Sequence, residues 1–453
     1  MATTATPMLA LLVLGPPEAE LSAPSERVEV APISPLPSEP PSPASSQATD
    51  PDQARDPVQA AEPAPARPGE GRTWQAELFV DVAYGFNSNV PDNHVYRGMY
   101  TNPRTNELSV SSVGAFIKHP LTAREPWQFE LGFHAGAAVD ALTSGEPIPG
   151  GPDGKYAGAE VFKHIALANA GFEIRKTKTF LGAGVFESPM GIGSFWTKYN
   201  WNYTTTWESN IVPYYLAGVK VAQQLPGNVE LAGWFVNGFQ SYADRNSVPS
   251  GLVTVTWNRP AVEVGPPRSG TNSLTLSTQL YFGPEGVDLR PADWMVYWDT
   301  WVVWNFDDHF SMAAVWDLGV DRVGQVGARP LDPAGEQQLY TGGALFARGT
   351  VLEREHLRMD LALRPEASWD RDGRFFGVEQ WLVSGTATAS LWIWEHLLLR
   401  MEYRYDYSSA ARGFFYRREF GSDDAVGLAR EQHTVFLSLT AWWDFWFGRR
   451  EQA

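Results

Sequence analysis

From Trp74 onward, apolar and polar residues alternate with a period of two over long stretches of the chain. In the stretch 128–140, Phe129 and Leu131 fall on one face, and Glu130 and His134 fall on the other. Side chains separate in this way in a β-strand that has one apolar and one polar side. The chain is therefore expected to be all-β and rich in amphipathic strands.

The alternation predicts sixteen strands. Most are longer than the roughly five or six residues of an ordinary soluble strand, and several approach the roughly 9–11 residues that a tilted membrane strand needs. The predicted strands span residues 74–86, 108–118, 127–140, 163–175, 179–187, 214–224, 228–239, 250–258, 272–283, 293–306, 309–320, 338–348, 356–366, 376–393, 397–408 and 432–447.

Short turns and long connections alternate along most of the chain, as they do in an up-and-down barrel that carries turns at one end and loops at the other. An even number of strands places both chain ends on the short-turn side, which we expect to be periplasmic. The stretch 259–271 is an exception, because it is too long for a turn. The long connections are 87–107, 141–162, 188–213, 321–337 and 409–431.

Aromatic residues lie near the predicted strand ends, as rings at a bilayer interface do. Among them are Trp74, Trp127, Trp234, Trp394 and Trp442. We therefore predict a closed antiparallel up-and-down transmembrane β-barrel of about sixteen strands. A soluble sheet packed on an ordinary core is the alternative.

The segment before the barrel has a different composition. Residues 16–70 contain 14 prolines and no aromatic residue, so the segment cannot bury enough apolar surface to fold. We expect a weak signal peptide in residues 1–23, because Met8–Leu14 is apolar but follows no basic residue. A disordered linker, rich in proline and alanine, is expected in 24–70, and the outer-membrane barrel in 71–453.

Composition excludes several classes of protein. The chain has 52 acidic and 35 basic residues, a net charge of −17, which disfavours nucleic-acid binding. It has no cysteine, so disulfides and thiolate metal sites are absent. Its eight histidines are scattered, and no Gly-x-Ser-x-Gly motif occurs. We expect no catalytic residue, no metal and no cofactor.

The last predicted strand carries a targeting feature. Leu437, Leu439, Trp443, Phe445 and Phe447 share one face. This pattern is similar to the C-terminal signal of outer-membrane barrel proteins, although the chain continues to residue 453. Recognition by the barrel-assembly machinery is therefore expected.

A central block of motifs resembles a known family. The block includes the segments Ser188–Gly191, Asn200–Thr204, Pro213–Lys220 and Val236–Phe239, and Glu402–Asp406 is similar to a late strand of the same family. They resemble the putative β-barrel porin-2 (OmpL-like) family over residues 74 to 447. The resemblance implies an outer-membrane porin whose substrate is generally undefined. The polar inner face and the width of a barrel of about sixteen strands favour passive diffusion of small hydrophilic solutes or ions.

Charged and polar residues on the inward faces are candidates for lining the pore. Facing water, they would create a transverse field; alternatively, they pair with one another as structural ladders. A barrel charge of −10, after subtraction of 10 acidic and 3 basic residues in the N-terminal arm, favours a mild cation preference. The candidates are Glu130, His134, Arg358, Asp360, Arg364, Glu366, Arg400, Glu402, Arg404 and Asp406.

Loop 188–213 is the candidate constriction, because porin-like barrels fold a loop inward after the fifth strand; an ordinary extracellular loop is the alternative. Its candidate residues are Lys198, Tyr199, Trp201, Tyr203 and Glu208. The expected partners are outer-membrane lipid and small solutes, with a homo-oligomer left open. A plugged structural barrel and a secreted carbohydrate-binding β-protein remain the alternative functions.

Overall fold

The structure is a computed structural model. It describes residues 74–447, except for 123, 143–161, 243, 245–247, 265–269, 286–293, 323–324, 327–328, 331–336 and 419–425. The expected signal peptide and linker, residues 1–70, lie outside the described residues.

Sixteen antiparallel strands form one closed barrel, each hydrogen-bonded to its neighbours in chain order, as predicted. The barrel strands are β1 (Trp74–Asn87), β2 (Leu108–His119), β3 (Trp127–Ala135), β4 (Ile165–Ile174), β5 (Thr179–Glu187), β6 (Tyr215–Leu225), β7 (Val229–Val236), β8 (Ser250–Val264), β9 (Gly270–Pro284), β10 (Trp294–Asn305), β11 (Phe310–Asp321), β14 (Gln338–Arg354), β15 (Leu357–Asp370), β16 (Gln380–Ile393), β17 (Leu397–Ser408) and β20 (Glu431–Phe447).

In the described part of the connections lie two small hairpins and one α-helix. The hairpins pair β12 (Gln325–Val326) with β13 (Arg329–Pro330), and β18 (Phe415–Arg418) with β19 (Val426–Ala429). The helix α1 spans Ala137–Leu142. Among the described residues, no helix is long and apolar enough to span a bilayer, a finding that does not bear on a β-barrel.

The first and last barrel strands close the wall. They pair without interruption from Trp74 opposite Phe447 to Asn87 opposite Thr434. Closure leaves no edge strand, so the peptide groups of the wall are paired within the barrel. Turns and long connections alternate around the barrel, and residues 74 and 447 both lie at the short-turn end.

The predicted division between the two faces is confirmed. In β17 and β20, Leu399, Met401 and Leu437 point outward and are exposed, whereas Arg404 and Thr434 point inward and are buried. Exposed rings also occur on the outside near both ends of the wall, for example Trp127 and Trp381. Trp234 and Trp442, expected at an interface, instead point into the barrel and are buried.

The exceptional stretch 259–271 belongs to a long hairpin. β8 continues to Val264 and β9 begins at Gly270, so both strands extend beyond their predicted ends. A register shift between Arg259 and Val262 interrupts their pairing. The count of sixteen strands was therefore correct, and the apparent long connection is mostly strand.

The predicted strand 127–140 is wrong beyond Ala135. Gly136 has a φ of +126°, and a Cβ atom at this position would lie 2.5 Å from the carbonyl oxygen of Ser111. Only glycine fits this close approach, which turns the chain out of the strand and into α1. Val139, at the centre of α1, is fully buried.

The predicted strand 376–393 begins four residues late, at Gln380. The preceding residues form a loop that the carboxylate of Asp370 holds in place. Asp370 accepts hydrogen bonds from the backbone N–H groups of Arg374, Phe375 and Phe376, at 2.8, 3.0 and 2.8 Å. Side-chain capping therefore competes with the sheet for these peptide groups.

A charge placed on the outer wall tests the assignment of its faces. Leu437 lies near the middle of β20 and is 55% exposed. We expect Leu437→Arg to lower the free energy of unfolding by about 2–4 kcal/mol, because arginine at the bilayer centre loses its hydration. Urea titration in lipid vesicles measures this loss.

Glu431→Arg is the matched control, because Glu431 lies on the same face at the long-loop end of β20. Its expected cost is about 0–1 kcal/mol. Equal costs for the two variants would contradict a lipid-facing outer wall.

Candidate functional site

Six charged residues form a ladder on the inner wall of β15 and β17. Each is at most 4% exposed, and all of them point inward. They are Arg364, Glu366, Arg400, Glu402, Arg404 and Asp406.

Four of the six ladder residues, Arg364, Glu366, Arg404 and Asp406, form ion pairs with one another. Arg404 Nε lies 2.7 Å from Asp406 Oδ1, and Arg404 Nη2 lies 3.0 Å from Glu366 Oε1. Arg364 Nη2 approaches the same Glu366 oxygen at 3.3 Å. Pairing of this kind offsets the large cost of burying charge.

Loop 188–213, which connects β5 to β6, lies inside the barrel against this ladder. Tyr203, Thr204 and Trp207 are fully buried. Two short 3-10 turns, Thr197–Tyr199 and Glu208–Asn210, shape the loop. The loop residues predicted to form the constriction therefore lie next to the charged residues predicted to face inward.

The arginines of the ladder donate to carbonyl groups of the loop. Arg400 Nη1 donates to Thr197 O at 2.7 Å, and Arg404 Nη1 donates to Thr205 O at 2.7 Å. Arg364 Nη2 donates to the same Thr205 oxygen at 3.0 Å. Buried carbonyl groups that no strand pairs are thus satisfied by charged donors.

The carboxylates of the ladder accept from N–H groups of the loop. Glu402 accepts from the N–H of Tyr203 at 2.5 Å and from that of Thr204 at 3.0 Å. Glu366 accepts from the N–H of Trp207 at 2.7 Å. The inner wall therefore binds both kinds of peptide group, as a neighbouring strand would.

Trp207 fixes the same part of the loop through its side chain. Its Nε1 donates to Ser384 Oγ at 2.7 Å, and the guanidinium of Arg404 lies 5.0 Å from its ring centroid. Phe376 and Phe414, from two long connections, contact the ring edge-on. This end of the loop is consequently enclosed on several sides.

The opposite side of the loop is held by apolar contacts. Trp201 and Ile192 pack on inward-facing apolar residues of β10, β11, β14 and β15, including Trp301 and Phe346. Arg348 lies 4.9 Å from the Trp201 ring centroid. An inward apolar surface is unusual in a water-filled lumen, so we attribute it to loop docking.

A slot with a free volume of about 20 Å³, room for about one water molecule, separates part of the loop from the wall. Its surface combines the rings of Trp201 and Phe346 with hydroxyl and amide groups. It is lined by Ile192, Gly193, Asn200, Trp201, Asn202, Thr204, Thr205, Thr206, Ser209, Ala313, Phe346 and Arg364.

β1 supplies a third attachment. Lys198 forms an ion pair with Glu77, which also accepts from Tyr199 OH at 3.2 Å. Asp81 accepts from Thr197 Oγ1 at 3.0 Å and from Tyr203 OH at 3.1 Å. Burial lowers the pKa of Lys198, and the carboxylate of Glu77 opposes this shift.

The remaining candidate residues lie apart from the ladder. Arg358 and Asp360 pair at 2.9 Å nearer the short-turn end of β15. Glu130 accepts from Asn169 Nδ2 at 2.9 Å, and His134 packs 5.2 Å from the ring of Phe195 in the loop. All of them point inward, and whether they line the conducting path stays a prediction.

Sequence reasoning missed several residues that hold the loop. Asp81, Glu77, Ser384 and Thr388 face inward and bind it. The period-two pattern of β1 and β16 marks these positions as inward, but it does not reveal what they contact.

A closed barrel with a lipid-facing apolar wall, an ionic interior and an infolded loop defines an outer-membrane channel protein. A secreted soluble carbohydrate-binding protein would not expose such a wall to water.

The model of the family described as "Putative beta-barrel porin-2, OmpL-like" matches residues 74–440. The chain belongs to this family. It is an outer-membrane porin, a protein through which small hydrophilic solutes diffuse passively.

Solved outer-membrane proteins resemble the chain at low sequence identity. The channel DcaP of Acinetobacter baumannii is 11% identical, with 82% of this chain and 96% of that chain covered and a TM-score of 0.47. The anion-selective porin from Comamonas acidovorans is 8% identical, with coverages of 82% and 99% and a TM-score of 0.47. OmpF of Salmonella typhi, solved with daunomycin, is 10% identical, with coverages of 82% and 98% and a TM-score of 0.46.

The search among curated proteins found no match at the significance level applied.

Removal of one ladder residue tests how the ladder contributes to stability. We expect Arg404→Ala to lower the free energy of unfolding by about 3–5 kcal/mol, because Glu366 and Asp406 lose a buried partner. Urea titration in vesicles measures the change.

Arg418→Ala is the control, because its ion pair with Asp92 is about half exposed. Its expected cost is at most about 1 kcal/mol. A loss for Arg404→Ala no larger than that of the control would show that the buried ladder is dispensable.

Proposed function

We propose that loop 188–213 forms the constriction of the pore, so that solutes must pass between the docked loop and the inner wall. The observation that carries this proposal is the binding of the loop backbone by the wall ladder, for example Glu402 with the N–H groups of Tyr203 and Thr204. A loop held by its own peptide groups keeps one position, and a fixed position gives a defined passage.

The burial of inward side chains at the level of the loop favours small solutes. Most inward side chains at the level of the loop are buried, whereas inward groups nearer the short-turn end, such as Lys220 and Glu230, are partly exposed. A wider vestibule on the short-turn side therefore leads to a narrow region at the loop. Water, ions and small polar molecules fit such a path better than oligomeric solutes.

The short-turn end faces the periplasm in this proposal. Turns are periplasmic and long loops extracellular in bacterial barrels of even strand number. Residues 74 and 447 both lie at that end. Phe445 and Phe447, exposed on the last strand, would present the signal for the barrel-assembly machinery.

A homo-oligomer is the proposed assembly. The outer face of β14–β16 combines protruding Leu345 and Leu363 with the small residues Gly343, Ala347, Gly385 and Ala387, a relief into which the side chains of a second copy would fit. Chemical cross-linking in native membranes tests this arrangement.

The expected cation preference stays a prediction, and reversal potentials in a salt gradient measure it.

Conductance tests the constriction. We expect the folded protein to give stepwise ion conductance in a planar bilayer, and Trp201→Ala to increase the unit conductance, because Trp201 lines the slot between loop and wall. Trp381→Ala is the matched control, because Trp381 lies on the outer wall and is 47% exposed; its conductance should equal that of the wild type.

Silence of the folded wild type in the bilayer would support a plugged structural barrel instead. Unchanged conductance in Trp201→Ala would place the narrowest region elsewhere.

A further inference from the structure

Loop 188–213 inserts one carboxyl group into an acidic part of the inner wall. Glu208 is 1% exposed. Ser368 Oγ donates to its Oε1 at 2.6 Å, and its Oε2 has no hydrogen-bond partner. A buried carboxylate that lacks full pairing is costly, so the protonation state of Glu208 affects how well the loop docks.

Opposite Glu208, the neighbouring strands β10, β11, β14 and β15 place inward-facing residues side by side at one height of the barrel. Asp299 lies opposite Asp317 in the register of β10 and β11, Asp317 lies opposite Gly342, and Gly342 lies opposite Ser368. A Cβ atom on Gly342 would come 2.5 Å from Glu208 Oε1. Glycine therefore provides the space through which the loop carboxyl reaches the wall.

The groups that surround Glu208 are acidic or neutral. β10 contributes Tyr297, β11 contributes Asp317, β14 contributes Tyr340, and β15 contributes Glu366 and Ser368; behind them, Asp299 adjoins Asp317 and Asp370 adjoins Tyr340. Tyr297 OH donates to Asp317 Oδ2 at 3.1 Å. Asp299 and Asp317 are both fully buried.

In the described part of the chain, no cation pairs with Glu208, Asp299 or Asp317. The arginines of the ladder have other partners: Arg364 and Arg404 pair with Glu366, and Arg400 donates to carbonyl groups of the loop. Carboxyl groups gathered in a dry site without a cation cannot all be ionised. At least one of them must hold a proton while the loop is docked.

Of these carboxyl groups, Glu208 belongs to the loop, so its protonation state changes when the loop leaves the wall. Burial, and secondly the negative charge of Glu366, raise the pKa of Glu208 from 4.5 to about 7. When the loop leaves the wall, both causes disappear and the carboxyl regains its ordinary pKa. Docking and protonation of Glu208 are therefore linked.

We propose that Glu208 is a proton-operated latch: its protonated form holds loop 188–213 against the wall, and its ionised form loosens the loop and widens the passage. The docked loop binds a proton that the undocked loop releases between pH 4.5 and about 7. Docking therefore weakens as pH rises through this window, by about tenfold per pH unit, and stays constant above it.

The first test is single-channel conductance between pH 5 and 8, and it rests on the proposed pore function. Unit conductance of the wild type should rise toward pH 7 and then level off. Glu208→Gln, which mimics the protonated side chain, should keep the low value at every pH. Glu395→Gln, at an exposed turn, should retain the wild-type profile.

The second test needs no conduction. The chain has no cysteine, so Ser209→Cys, at a position 2% exposed, reports undocking by its rate of maleimide labelling. The rate is divided by that of Glu395→Cys, which corrects for ionisation of the thiol. The ratio should rise about tenfold per pH unit between pH 5 and 7, and it should stay flat when Glu208→Gln is added.

The two tests separate the two proposals. A folded protein that never conducts but shows the pH-dependent labelling ratio overturns the pore function and keeps the latch. A ratio independent of pH in Ser209→Cys, or the same pH dependence in Ser209→Cys with Glu208→Gln, overturns the latch.

Discussion

The bilayer core offers no hydrogen-bond partner, and the rest of the structure depends on this constraint. Each strand must pair on both sides, so β1 closes on β20. Ionic side chains are then confined to the inside, where they too need partners. Loop 188–213 supplies them, since its peptide groups bind Arg400, Glu402 and Arg404. Closure of the wall and docking of the loop are therefore consequences of one requirement, and the docked loop occupies part of the barrel interior.

Most of the fold could be predicted from the sequence because alternation is a local signal. It marks each strand and its inward face without knowledge of the partner strand, so the strand number and the faces were correct. The errors occur where contacts outside the alternating pattern determine where a strand begins or ends. Gly136 turns the chain out of β3 because it packs on the carbonyl of Ser111. Asp370 binds the N–H groups before β16 and shortens that strand. Neither contact has a signature in the local pattern.

The candidate site could be predicted only in part. Alternation identified the inward charges, and the family resemblance drew attention to loop 188–213. Sequence left open whether the charges face water or pair with one another. The structure shows pairing and, in addition, binding of the loop backbone. Arg404 and Thr205 are 199 positions apart, and the acceptor is a backbone carbonyl group, which every residue has and which the sequence therefore does not mark. For the same reason, the acidic surroundings of Glu208 could not be predicted, since β10, β11, β14 and β15 contribute to them.

A disulfide between loop and wall tests the docked loop most directly. Asn202 Nδ2 donates to Thr388 Oγ1 at 2.7 Å, and both side chains are buried. In the cysteine-free chain, the double variant Asn202→Cys with Thr388→Cys should oxidise to an intramolecular disulfide in lipid vesicles, detected by mass spectrometry after proteolysis. Thr388→Cys with Glu395→Cys should not. Failure of the first pair to form a disulfide in folded protein, with both thiols freely labelled, would show that the loop lies outside the barrel and would contradict the account.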